Sequence, residues 1–189
     1  MVSEWHKKQR IYSVEIMSIK NAAKALIVND GKILLNKCLN TFGDFAWGSP
    51  NGTIYYNLPG GGQNKFEFLE DTIKRECLEE TGYSVSIERL KAIYEEVFIM
   101  DTSEMDDFQL SVYEQNNHKI YFVFLCHLDD QTQKVATEID VDVVGFEWVA
   151  IEEVKNLLLF PEPFHDNFDL ILNTITPVFL GSTQIDMRK

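Results

Sequence analysis

One segment of the chain, residues 59–82, limits the possible folds more than any other. It reads PGGGQNKFEFLEDTIKRECLEETG. Its three consecutive glycines free the backbone to adopt unusual conformations and to approach a ligand closely. The residues that follow predict the clearest helix of the chain, and Gly82 predicts where that helix ends. Any fold must therefore place a glycine-rich loop at the entrance of an acidic helix.

The segments on either side of this helix predict strands. AKALIVNDGKILLNK, residues 23–37, predicts two strands joined at Asp30-Gly31, because Asp-Gly is the strongest short hairpin signal. HKIYFVFLCHL, residues 118–128, is apolar on both faces, which indicates a central strand. Further strands are expected at residues 54–58, 83–100 (one or two) and 141–151. Strands and helices mix without strict βαβ order, which predicts an α/β or α+β sandwich.

Several other segments have weaker patterns. Residues 11–19 are expected to hold a short strand, and the acidic stretch at 101–117 is expected to be a loop. A helix is expected to begin near residue 152, and a last helix is expected in the tail after residue 161. The length of 189 residues predicts a single domain with its core at about 20–160, an N-terminal lead-in and a helical C-terminal tail.

The net charge of −13 argues against several classes of partner. A nucleic-acid polymer requires a basic surface, and an anionic membrane repels an acidic protein, so neither is expected as a ligand. Cys38, Cys77 and Cys126 lack metal-site spacing and suit a reducing compartment, which favours the cytoplasm. The sequence predicts neither a signal peptide nor a membrane span. A small anionic substrate is compatible with this negative net charge if a cation lies between the substrate and the protein's carboxylates.

The helix carries more carboxylates on one stripe than its cations balance. Glu76 neighbours both Glu79 and Glu80, and each like-charge pair costs roughly 0.2–0.5 kcal/mol. On another face, Glu70 and Lys74 form a balanced pair, whereas Glu76 and Glu80 have no such partner and lie at the edge of the apolar stripe. A hard divalent cation such as Mg²⁺ would resolve the repulsion, since it prefers oxygen ligands. The alternative is an acidic helix face exposed to solvent.

From Gly61 onward the sequence resembles the Nudix box. That motif has a glycine, five residues, Glu, seven residues and then Arg-Glu-U-x-Glu-Glu-x-Gly-U, in which U is bulky and apolar. The identities that match are Gly61, Glu67, Arg75, Glu76, Glu79, Glu80 and Gly82. Cys77 and Tyr83 stand at the two U positions, and Phe66 stands where relatives often have glycine. The hairpin and the later strands extend the resemblance over about residues 20–160.

The resemblance implies an α/β/α sandwich around a mixed sheet. It implies hydrolysis of a small-molecule nucleoside diphosphate linked to another moiety, with Mg²⁺ as cofactor and Mn²⁺ as a substitute. The implied metal ligands are Glu76, Glu79, Glu80 and the carbonyl of Gly61. Glu67 and Arg75 are expected to pair and to hold the loop on the helix. A non-catalytic nucleotide-binding or sensing module is the alternative, and a homodimer is compatible with either function.

Substrate contacts are expected from the glycine loop and from the aromatic residues that precede it, which could stack on a nucleobase. The candidates are Gly61, Gly62, Trp47, Tyr55 and Tyr56. Aromatic residues beside a strand more often belong to the core, which is the alternative for the last three. The sequence shows no basic cluster that would clamp phosphates, although Lys37 and Lys65 lie near the relevant segments.

A general base is expected outside the motif, because a bound cation would depress the basicity of its glutamate ligands. The candidates are Glu138, Asp140 and Asp142 before the strand that carries Trp148, Glu114 in the acidic stretch, and Glu95 and Glu96 after the helix. Asp142 or Asp140 is favoured, because a loop that enters a strand at the end of the sheet can swing over a bound pyrophosphate. A solvated acidic loop is the alternative for all of them.

Overall fold

A computed structural model describes residues 19–41, 50–137, 142–186 and 188. The strands are β1 (Lys20–Asn29), β2 (Lys32–Leu39), β3 (Ile54–Asn57), β4 (Val85–Ile99), β5 (His118–Leu128), β6 (Val143–Ala150), β7 (Leu159–Phe160) and β8 (Val178–Asp186). The α-helices are α1 (Leu69–Thr81), α2 (Asp107–Asn116), α3 (Glu162–Asp166) and α4 (Phe168–Asn173), and a 3-10 helix spans Ile151–Asn156.

The hairpin expected at Asp30-Gly31 joins β1 to β2. Asp30 has φ 47° and Gly31 has φ 73°, so both turn residues adopt the left-handed conformation that a tight hairpin turn requires. The two strands pair antiparallel, with Val28 opposite Ile33. This prediction is confirmed.

The sheet is mixed, as the resemblance implied. Its order is β7-β3-β2-β1-β5-β4-β8, and β6 pairs with β2 outside this path. Strand β5 runs parallel to β1 and antiparallel to β4. It therefore lies between two partners, and its expected central position is confirmed.

Helical layers cover the two faces of the sheet. On one face, Ile73 and Cys77 of α1 pack against Ala23, Ala25 and Ile27 of β1. On the other face, residues of α3, α4 and the 3-10 helix pack around Leu26, whose side chain points to the opposite side of β1. The fold is thus an α/β/α sandwich, which confirms the predicted class.

One expectation about local structure is wrong, and another is confirmed only in part. The acidic stretch expected to be a loop contains α2, which a capping box begins: the Asp106 carboxylate accepts from the Gln109 N–H, and the Gln109 side chain accepts from the Asp106 N–H. The helix expected in the tail is present as the short helices α3 and α4, but they are followed by an unexpected strand, β8, which pairs parallel with β4. The helix expected near residue 152 is a 3-10 helix.

The short strand expected at 11–19 lies outside the described residues except for Ile19. Among the described residues, no helix is long and apolar enough to cross a membrane.

Candidate active site

The glycine loop extends the sheet beside β1. The Ala23 N–H donates to the Gly61 carbonyl at 2.9 Å, and the Ala25 N–H donates to the Pro59 carbonyl at 2.8 Å. Gly60 has φ 121°, and a Cβ there would lie 2.2 Å from the Ala23 carbonyl oxygen. Only glycine can occupy this position without a clash. The loop is therefore fixed along one edge of β1, directly before α1.

Glu67 and Arg75 hold the loop on the helix. Arg75 Nε donates to Glu67 Oε1 at 2.8 Å, and Arg75 Nη2 donates to Glu67 Oε2 at 2.9 Å. The Asn64 N–H and the Thr72 hydroxyl also donate to Glu67. The Arg75 hydrogen bond, assisted by these donors, lowers the pKa of Glu67 to about 2. The expected pair is confirmed, and it is a bidentate one.

Glu76 and Glu79 converge on one cation. Arg75 Nη1 donates to Glu76 Oε1 at 2.7 Å and to Glu79 Oε2 at 3.0 Å. The expectation that Glu76 has no cationic partner is therefore wrong, because the Arg75 side chain also reaches toward its own neighbour in sequence. Glu76 also lies against Gly61, where a Cβ would come within 2.6 Å of the carboxylate. Burial nevertheless raises the pKa of Glu76.

Glu80 contacts the glycine loop and β2. Its side chain accepts hydrogen bonds from the Gly60 N–H at 2.8 Å and from Asn36 Nδ2 at 3.0 Å. Only 6% of Glu80 is exposed, so these bonds compensate the burial of its charge. Glu80 is thus not the partnerless carboxylate that its helix neighbours suggested, because β2 and the loop supply its donors.

The carboxylates offer the donor chemistry of a hard divalent cation. Oxygen ligands suit Mg²⁺, and two of the three glutamates already direct oxygens at one positive group. Asn36 Oδ1, a further buried oxygen, accepts no hydrogen bond from the described residues. As the side chains stand, no cluster of three or more His, Cys, Asp or Glu within the described ranges is arranged to hold a metal. The residue types therefore fit a divalent metal ion. In this structure the Arg75 guanidinium is the positive group that Glu76 and Glu79 share.

A cavity of about 350 Å³ opens beside the glycine loop. Gly60, Gly61 and Gly62 line it, and so do Lys20, Lys24 and Lys119. Lys20 and Lys119 are paired across β1 and β5, and the Lys24 ammonium donates to the Gly60 carbonyl. An acidic protein therefore places three cations and a glycine-rich backbone around one cavity, a combination suited to phosphate groups.

A comparison with family models matches the NUDIX domain to residues 19–168. That match spans most of the chain and includes the glycine loop, α1 and every residue that lines the cavity except Leu180. The chain belongs to the Nudix hydrolase family. A comparison with curated proteins finds no match to it.

Solved structures share the Nudix fold at low sequence identity. A NUDIX hydrolase from Nitrosomonas europaea is 22% identical with a TM-score of 0.57, covering 80% of this chain and 87% of that one. A UDP-X diphosphatase is 20% identical with a TM-score of 0.55, covering 85% and 67%. An ADP-ribose pyrophosphatase from Streptococcus suis is 18% identical with a TM-score of 0.53, covering 86% and 99%. These similarities support the fold.

The cationic side of this Nudix cavity was not foreseen. The expectation of no basic cluster is wrong, because β1 and β5 pair residues that are far apart in sequence. The two lysines expected near the phosphates are engaged elsewhere: Lys37 pairs with Glu147, and Lys65 lies 5.0 Å from the centre of the Phe66 ring.

The candidate aromatic residues separate between the two sides of β3. Tyr55 lines the cavity, and its hydroxyl donates to Asp142. Tyr56 is not among the described residues that line the cavity, and its hydroxyl donates to Glu147 at 3.1 Å. Trp47 lies outside the described residues. Successive strand residues point to opposite faces, which explains why neighbouring tyrosines differ.

Some of the candidate bases line the cavity and others do not. Asp142 and Glu96 line the cavity. Glu95 points away from it and pairs with His118 at 2.8 Å, while Glu114 is exposed on α2. Glu138 and Asp140 lie outside the described residues.

Proposed function

We propose that this protein is a Mg²⁺-dependent pyrophosphohydrolase that cleaves the diphosphate of a nucleoside diphosphate linked to another moiety. The observation that carries the proposal is the position of the glycine loop, which lines the cavity together with three lysines and also contacts Glu76 and Glu80 of α1. The names of two structural relatives, a UDP-X diphosphatase and an ADP-ribose pyrophosphatase, agree with this class of reaction.

Different side chains would bind the cation and the phosphate groups. Glu76, Glu79 and Glu80 would hold Mg²⁺, with the Gly61 carbonyl as a further oxygen ligand. When bound, the ion neutralises phosphate charge and lowers the pKa of a coordinated water. The Gly61 carbonyl already accepts one hydrogen bond from Ala23, and its second lone pair is the one available to a cation. The cavity lysines and the Gly62 backbone bind the phosphoryl oxygens.

Asp142 is the proposed general base. It lines the cavity together with the glycine loop, and the Tyr55 hydroxyl fixes one of its carboxylate oxygens. A carboxylate held in this way can accept a proton from an attacking water within hydrogen-bond reach. Asp142→Asn should lower turnover by roughly 10²–10⁴-fold while metal affinity stays nearly unchanged. Glu114→Gln is the matched control and should retain full turnover, since Glu114 is exposed on α2.

The decisive experiment is a panel of nucleoside diphosphate derivatives incubated with Mg²⁺ or Mn²⁺. Phosphate released after coupling to a phosphatase reports cleavage, and the Glu79→Gln variant controls for contaminating activity. Turnover by the wild type and loss of turnover by the variant support the proposal. Nucleotide binding without any turnover across the panel would instead establish the sensing module, which is the second candidate.

A further inference from the structure

The cavity contains a buried carboxylate that the proposed reaction does not use. Glu96 lies on β4, is 2% exposed and lines the cavity. The Tyr94 hydroxyl donates to its Oε1 at 3.1 Å, and the Tyr121 hydroxyl donates to its Oε2 at 2.9 Å. The two tyrosine rings stack, with their centroids 5.7 Å apart. The carboxylate is thus held in a fixed orientation at the cavity wall.

This carboxylate retains capacity to accept further hydrogen bonds. An ionised carboxylate offers about four lone-pair sites, and each tyrosine hydroxyl uses one of them. With respect to the described residues, each oxygen can therefore accept one more hydrogen bond. Burial raises the pKa of Glu96, whereas the hydroxyls of Tyr121 and Tyr94 and the charge of Lys119 act in the opposite direction. A ligand with two adjacent hydrogen-bond donors could donate to both oxygens of Glu96 and so stabilise its buried charge.

The strand order fixes where Glu96 lies relative to the phosphate-binding loop. Glu96 is opposite Lys119 on β5, and Lys119 is opposite Lys20 on β1. The glycine loop pairs with the far edge of β1. Three strand spacings, or roughly 14 Å, therefore separate the loop from β4. This span is longer than a pyrophosphate group, so a substrate whose phosphates lie at the loop would reach Glu96 with its nucleoside part.

We infer that Glu96 is a specificity-determining residue that accepts hydrogen bonds from a pair of adjacent donors on the nucleoside part of the substrate. The ribose diol and the N–H edge of guanine both present such a pair. This inference rests on the proposed function for the placement of the phosphates. Glu96→Gln keeps the shape of the side chain but replaces one acceptor with a donor, so it should weaken this recognition selectively.

Calorimetric titration tests the inference without any need for turnover. The probes are ADP, 2′-deoxy-ADP, GDP, 2′-deoxy-GDP and inorganic pyrophosphate. Glu96→Gln should weaken the binding of the recognised nucleotides by roughly ten- to hundredfold, the range for hydrogen bonds to a charged group. Pyrophosphate cannot reach β4, so its affinity should stay the same or increase slightly.

The pattern of the loss identifies the donor pair. A loss confined to ribonucleotides assigns the diol, and a loss confined to guanine nucleotides assigns the base edge. Equal affinities in wild type and variant, or the same loss for pyrophosphate as for every nucleotide, would overturn the inference.

Glu95→Gln is the matched control. Glu95 is adjacent in sequence but points away from the cavity, with its carboxylate bound to His118 and Ser182. This variant should retain the wild-type affinity for every probe. A wild type that hydrolyses the substrate panel but shows no selectivity change on Glu96→Gln would overturn the inference alone. A wild type that binds nucleotides selectively through Glu96 but hydrolyses nothing would overturn only the proposed function.

Discussion

Phe66 adopts a backbone conformation that disfavours a bulky side chain. Its φ is 68° and its side chain is 95% exposed, so little packing offsets the strain. Relatives often have glycine here, and the loop keeps the glycine-like conformation with phenylalanine in place. We expect Phe66→Gly to be more stable than Phe66→Ala by about 1 kcal/mol, because both lose the ring but only glycine relieves the strain. Urea unfolding measures the difference, and an alanine variant of equal stability would show that the position is unstrained.

Glu67 should make the stability of the protein depend on pH. Its pKa is lowered to about 2 by Arg75, so its ionised form stabilises the folded state above the ordinary glutamate pKa of 4.5. That contribution should be lost as the pH falls from about 4.5 toward 2, because the unfolded chain takes up the proton first. Melting temperatures measured across this range should decline less in Glu67→Gln than in the wild type. Glu70→Gln, exposed in the first turn of α1, should decline like the wild type.

At the scale of elements, the glutamates of α1 should differ in how much each contributes to turnover and to stability. We expect Glu79→Gln and Glu80→Gln each to reduce turnover by roughly a hundredfold or more, as for other key electrostatic contacts. Their stabilities should differ: Glu80→Gln loses charge-assisted bonds from Gly60 and Asn36 and should cost about 1–2 kcal/mol. Among the described residues, the Glu79 side chain pairs only with the partly exposed Arg75, so its loss should be nearly neutral.

Glu70→Gln is the reference for both α1 variants. If it reduced turnover as much as Glu80→Gln, the acidic solvated helix face would be the better account. Kinetic assays together with urea unfolding of the three variants make this comparison.

The sequence predicted those elements whose signals are local. The hairpin follows from Asp30-Gly31, and α1 follows from its helical periodicity and from Gly82, which ends it at φ 75°. Helix α2 was missed because its apolar periodicity is weak, although the Asp106 and Gln109 capping box was present in the sequence. The last strand was missed because its stability depends on pairing with β4, a contact that no local pattern encodes.

At the scale of the whole molecule, the residues that line the cavity could not be predicted without knowing the strand register. Lys20 and Lys119 meet only because β1 and β5 run parallel, with these two residues opposite each other. Glu96 faces the cavity and Glu95 does not, which the alternation of a strand leaves undecided until its pairing is known. The Nudix motif therefore indicated the acidic residues of the candidate site, whereas the lysines of the cavity could be identified only from the three-dimensional structure.

Divalent cations should stabilise the whole fold, and this tests the acidic side directly. Ligand binding to the folded state raises stability by about 2.7 kcal/mol at a hundred times Kd, or roughly 5–10 °C in Tm for a chain of this size. Glu76 and Glu79 now share the guanidinium of Arg75, so the cation gains their charge only by drawing them away from it. The shift with Mg²⁺ or Mn²⁺ should therefore shrink in the Glu76→Gln and Glu79→Gln variants and persist in Glu70→Gln. Thermal melts at increasing Mg²⁺ measure it, and a wild-type Tm that stays constant into the millimolar range would contradict a metal site on α1.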